Sequence, residues 1–243
     1  MVSFTKREVW YLIFATLALG FVFGFDDGRP EFVLSYWLLN FFRVCLACFA
    51  VLLAYALAQK LVANHYGCSA EFSLWTVQRY GFRPYAKFKR PFPIGVLIGF
   101  IVAVLSQGKF FFAAMASFNL IEQRHRRIGR KYLNVTASEI AKIALAGVFA
   151  ALLIALLASI LNLGKELVLV ASLFAVYQML PLPNLDGIKI FFGSLPMFAF
   201  SAAFVLLCAI LLNFISGFSA VFYAFIAASI FFILFFYYRV YSS

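Results

Sequence analysis

The side chains in this sequence that ligate metals or act as soft nucleophiles are few: His65 and His125, and Cys45, Cys48, Cys68 and Cys208. A metal site built on a helix needs ligands one turn apart, and neither histidine has a second ligand at that spacing. Cys45 and Cys48 share a helical face, as a metal pair does, but no second pair exists, so they read as small apolar packing residues. Three of the four cysteines fall in or beside apolar stretches, which argues against a disulfide framework. No serine stands beside a histidine or lysine base in a recognisable nucleophilic arrangement. Arg43 lies inside a long apolar run, where an arginine is by default a functional residue. With the core-spanning part at about residues 40–59, it instead snorkels to the outer headgroups.

The elements that must position these residues follow from composition. Of 243 residues, 65% are apolar and 12% charged, against ~45–50% and ~25% in soluble domains. Too few polar groups exist to coat a soluble fold, so the chain is an integral membrane protein. Its 33 Phe and long apolar runs indicate helices rather than the alternating strands of a barrel. The net charge of +11 sits in clusters between apolar runs, which the positive-inside bias explains without nucleic acid.

A first span over 9–25 ends at the turn Asp26-Asp27-Gly28-Arg29-Pro30, and Gly20 and Gly24 form a GxxxG pair. Lys6 and Arg7 precede it as in a signal peptide, but no A-x-A site follows, so an uncleaved first helix is expected. A second span, 32–62, is longer than the hydrocarbon core and should protrude. Residues 64–92 mix Trp75, Tyr80 and Tyr85 with basic residues and read as an interfacial segment. The apolar stretches 92–105 and 110–120, each too short to cross, read together as a re-entrant or hairpin element. A second basic insertion, 122–136, precedes spans near 137–163, 167–182, 196–214 and 218–238. With the N-terminus inside and 92–120 returning to the side it left, the inside loops hold Lys6, Arg7, both basic clusters, Lys189 and Arg239. The outside then holds Arg29, Lys109 and Lys165.

Three stretches carry a resemblance. Gln178-Met-Leu-Pro-Leu-Pro-Asn-Leu-Asp-Gly187 resembles the Leu-Asp-Gly region of the site-2 protease family of intramembrane zinc metalloproteases. Residues Lys60 to Trp75 resemble the sequence that follows the HExxH helix in compact archaeal-type members. Ile143-Ala-Leu-Ala-Gly147 is similar to the stretch that in the family continues with Gly-Pro and then an asparagine. The likeness runs in order over about residues 6–195.

The resemblance implies a third metal ligand at Asp186 and an HExxH motif just before Lys60. That alignment puts the first histidine on Tyr55, the glutamate on Ala56 and the second histidine on Gln59, so two ligands and the water-activating base are lost. Val148 and Ala151 replace the family's proline and asparagine. His65 lies six residues past Gln59, too far along a helix to substitute. Two readings of Asp186 follow. In one, Asn184 and Asp186 hydrogen-bond the end of a broken helix, with Asp186 paired to Lys189. In the other, Asp186 faces the old metal cavity and accepts hydrogen bonds from Tyr55 and Gln59, which share a helical face four residues apart.

The expected architecture is an all-α polytopic membrane protein. It comprises a site-2 protease-like core over 1–195 and a lipid- or partner-facing C-terminal hairpin over 196–243. Asn184, Gly187, Gly147 and Ala151 are the residues expected to line the former site. The implied function is a pseudoprotease without metal or cofactor that binds or scaffolds other transmembrane proteins. The competing readings are an active intramembrane metalloprotease with an unrecognised ligand set and a small transporter, the latter without an evident inverted repeat. The N-terminus and basic loops are expected to be cytoplasmic. Composition and motif are silent on oligomeric state.

Overall fold

A computed structural model describes residues 3–29, 31–79, 87–123, 134–215 and 217–241. The described chain is mostly helical. Helix α1 spans Lys6–Phe23 and α2 spans Leu34–His65; strands β1 (Cys68–Leu74), β2 (Val77–Arg79) and β3 (Lys87–Phe92) follow. Then come α3 (Ile94–Leu105), β4 (Ala116–Glu122), α4 (Ala137–Ile160), α5 (Lys165–Gln178), α6 (Asp186–Gly193), α7 (Leu195–Phe214) and α8 (Phe218–Tyr241). Four of these, α2, α4, α7 and α8, are long and apolar enough to cross a membrane, which makes this an integral membrane protein.

The ends of the helices follow local chemistry. Thr5 caps α1 and Thr136 caps α4, each in a reciprocal box with the glutamate three residues on, Glu8 and Glu139. The GxxxG pair is the α1–α2 contact: a β-carbon at Gly20 would run into Cys45, and one at Gly24 would lie 3.4 Å from the Phe41 Cα. Cys45 and Cys48 are buried free thiols, as are Cys68 and Cys208. Helix α4 is the centre of the bundle, packing against α2, α5, α6 and α7. Its alanines Ala141, Ala144, Ala151, Ala155 and Ala158 are buried and permit that close approach.

Arg43 has an ion-pair partner that the sequence did not reveal. Its Nε lies 3.3 Å from Glu166 Oε2 at the start of α5, an ion pair whose side chains are 66% and 43% exposed. At that exposure the pair contributes about 0–1 kcal/mol.

The first polar insertion and the apolar stretch 110–120 contain strands that the helical reading did not foresee. β1 pairs antiparallel with β4, Cys68 opposite Glu122 through Leu74 opposite Ala116, and β2 pairs with β3. Between them α3 runs parallel to α1, with Phe100 stacked on Phe21 and the turn at Gly108 against Asp26. The segment 92–122 begins opposite Val77, past the far end of β1, and ends opposite Cys68, beside the C-terminus of α2, so its two ends are separated by the length of β1. The hairpin expected over 92–120 is thus a helix followed by a strand. Tyr80, Tyr85 and most of the second basic insertion lie outside the described residues.

Helix α7 packs on α5 and α6, and Asn213 Nδ2 donates to Ser172 Oγ of α5 at 3.4 Å. Helix α8 packs chiefly on α7 and is the outermost element. Its large apolar side chains, Phe222, Phe225 and Phe231 among them, face outward.

Candidate functional site

The site grows from the break between α5 and α6. Pro181 and Pro183 cannot continue a helix, and the residues before them are pushed toward extended backbone. Asn184 adopts φ 67°, a left-handed conformation that asparagine tolerates better than most residues. The backbone freed by the break is satisfied by side chains. Trp75 Nε1 donates to the Pro183 carbonyl at 2.7 Å, and Ser117 Oγ donates to that of Asn184. Asn184 Nδ2 donates to the Thr76 carbonyl at 3.0 Å. These bonds tie the broken segment to the ends of β1 and β4, as buried backbone away from water requires.

Asp186 opens α6 and is fully buried. Tyr55 Oη donates to its Oδ2 at 2.7 Å, and Gln59 Nε2 donates to the same oxygen at 2.8 Å. Lys189 Nζ lies 3.3 Å from Oδ1, one turn along α6. Of the two readings, the hydrogen bonds from the α2 residues and the pairing with Lys189 are seen, whereas the Asp186 carboxylate does not bond the end of α5. Asn184 bonds the end of β1 rather than the carboxylate.

Lys189 is the residue whose role sequence reasoning understated. Its ammonium also donates to the Phe118 carbonyl at 3.1 Å and to Ser117 Oγ at 3.3 Å, and it lies 3.6 Å from the centre of the Phe118 ring. Phe118 faces Phe72 in the ladder. Phe72 N–H donates to Glu8 Oε1 at 2.8 Å, so both members of this pair turn their polar groups outward, as a non-hydrogen-bonded pair does. Ser117 and Gln178, whose Nε2 donates to the Ala116 carbonyl at 3.1 Å, were likewise missed as site residues. A serine inside the short apolar run 110–120 was the available signal.

Shape matters as much as polarity. Gly147 on α4 faces the pair on α2: a β-carbon there would lie 2.6 Å from Gln59 Nε2 and 2.7 Å from the Tyr55 ring. At Gly187 a β-carbon would collide with the carbonyls of Met179 and Leu180, so only glycine lets α6 turn so tightly against the end of α5. Phe174 meets the Tyr55 ring edge-on at 5.2 Å. Ala56 and Ala151 are buried apolar packing with no polar atom to offer, Ala151 one turn beyond Gly147.

These residues do not fit a zinc ion. A tetrahedral centre takes at least three protein donors of the imidazole, thiolate or carboxylate kind, and Asp186 is the one such donor here. Its oxygens already accept from a phenol, an amide and an ammonium. Among the described residues no three of His, Cys, Asp and Glu converge. His65 is exposed at the end of α2, against Tyr66, and His125 lies outside the described residues. What the arrangement does chemically is neutralise a buried carboxylate with an internal cation and lock α2, β4 and α6 together.

In comparison with known proteins, the chain matches no protein-family model, no curated protein and no solved structure.

Proposed function

We propose that this chain is a catalytically inactive protein of site-2 protease type that binds or scaffolds other transmembrane proteins. One observation carries the reading: at the place where the resemblance puts a metal, Tyr55, Gln59 and Lys189 saturate the carboxylate of Asp186. A carboxylate so engaged neither holds a metal nor activates water, while the broken helix and central α4 that frame it remain. A fold of this kind, deprived of hydrolysis, retains surfaces for transmembrane segments. The N-terminus and both basic insertions are assigned to the cytoplasm by the charge asymmetry. In its favour, Cys68 at the start of the first insertion pairs with Glu122 at the start of the second, so the two insertions begin side by side.

The test is metal analysis of protein purified without chelator, together with crosslinking in native membranes. Substoichiometric zinc and recovery of defined, uncleaved transmembrane proteins are the expected results. One zinc per chain, or adducts recovered as cleaved fragments, would overturn the reading in favour of a protease.

A further inference from the structure

A second polar site lies between the first turns of α1 and the far end of β1, next to the Asp186 cluster but sharing none of the carboxylate's own partners, Tyr55, Gln59 and Lys189. It is a pocket of about 400 Å³ lined by Arg7, Tyr11, Ser73, Thr76 and Asn119, within the range typical of small-molecule sites. Arg7 Nε donates to Tyr11 Oη at 2.9 Å, which leaves the phenol proton and the remaining guanidinium donors free. No described carboxylate lies within ion-pair distance of Arg7.

The second observation is Ser73. It is 9% exposed and lines this pocket, yet its hydroxyl has no hydrogen-bond partner among the described residues. The side chains of Thr76 and Asn119 are unpartnered in the same sense. The Ser73 hydroxyl opens only onto this pocket wall, so it is available to whatever group enters there. One guanidinium, three hydroxyls and an amide around one space form a donor set suited to an oxyanion.

The depth of the pocket says which oxyanion. Trp10, 71% exposed, and Tyr11 stand at the start of the apolar part of α1, where aromatic residues mark the headgroup level. Below the pocket the same stripe of α1 continues through Phe14 to Phe21, which stacks on Phe100 of α3. There Phe14, Leu97 and Ile101 expose apolar surface along which acyl chains can lie. Glu71 stands opposite Asn119, on the face of the sheet that carries Ser73 but outside the pocket lining. Its charge opposes a dianion beside Arg7, the one cation among the described lining residues, and favours a group with one negative charge.

The geometry points to a glycerophospholipid site, with the phosphodiester held by Arg7, Ser73, Thr76 and Asn119 and the acyl chains along α1 and α3. This assignment is independent of whether the chain ever held a metal. The full chain, delipidated in detergent, is to be incubated with dioleoyl-phosphatidylglycerol or with diolein, which lacks the phosphate, and bound lipid counted by native mass spectrometry. One phosphatidylglycerol should be retained in preference to diolein, and Arg7→Gln and Asn119→Leu should each weaken its retention about tenfold or more. Arg7 is exposed, so its replacement leaves the fold intact, and an unchanged melting temperature verifies this. Equal retention of diolein, or undiminished lipid binding by a folded Arg7→Gln variant, would overturn the site. Displacement of the lipid by inorganic phosphate would show a free-anion site instead and overturn the lipid assignment.

Discussion

The carboxylate of Glu8 and the ammonium of Lys60 meet at 2.6 Å with side chains only 2% and 6% exposed, joining the first turn of α1 to the last third of α2. Each charge has further partners. Glu8 accepts from the N–H groups of Thr5 and Phe72, and Lys60 donates to the Ser3 carbonyl at 2.9 Å and lies over the Phe4 ring. Removing one partner strands the other charge away from water. Lys60→Met is therefore expected to cost about 3–5 kcal/mol. The double variant Glu8→Gln/Lys60→Met should recover much of that loss. Thermal unfolding of the three proteins in one detergent measures both.

The same pair sets an acid limit on stability. Burial alone would push the Glu8 carboxyl up, but hydrogen bonds from Lys60 and from the Thr5 and Phe72 N–H groups outweigh it and hold the carboxyl below its ordinary range. A group whose pKa is lower folded than unfolded stabilises the fold fully above the unfolded value. That contribution is lost as pH falls through the lowered value. Melting temperatures followed from neutral pH down to about pH 3 should therefore fall more steeply for the native chain than for Glu8→Gln.

Gly147→Ala should disturb the Asp186 cluster without touching any polar group. The added methyl group would press on the Tyr55 ring and the Gln59 amide, and overpacking of this kind costs about 1–3 kcal/mol. Pairing it with Gln59→Ala, which makes room, should bring non-additive recovery in a double-mutant cycle. Simple additivity would mean that α4 moves away as a unit.

The C-terminal helices should separate in a truncation series. Ending the chain after residue 217 removes α8, whose exposed face leaves little core behind. Ending it after residue 194 also removes α7, whose Val205, Cys208 and Leu212 are buried. Limited proteolysis in detergent should find the resistant core intact in the first case and lost in the second.

Among the described helices, α2, α4, α7 and α8 were legible in the sequence because a bilayer dictates apolar length. The expected spans 9–25 and 167–182 are instead helices α1 and α5, which are not among those long and apolar enough to cross. The strands were not legible. β1 and β4 are joined by pairing across more than forty residues, and a register of that range leaves no local periodicity in segments this short. Tyr55, Gln59 and Asp186 were found because resemblance and helical spacing named the same positions. Ser117 offered only the signal of a serine in an apolar run, and the Phe118 carbonyl offered none, because their partners are set by where β4 lies, which no property of residues 110–120 specifies. Lys189 was seen only as a neighbour three residues along, since spacing reports its reach to Asp186 and not its bonds to another element.

The cation that balances Asp186 is carried by the same short helix as the carboxylate itself. A diffusible ion must be captured from a finite supply, and chelators or competing sites remove it. Lys189 is covalently attached one turn away, so its effective concentration at the carboxylate is fixed when α6 forms and does not vary with the ionic contents of the cell. The junction of α2, β4 and α6 is therefore assembled during folding without any delivery step, and no chelator can dismantle it.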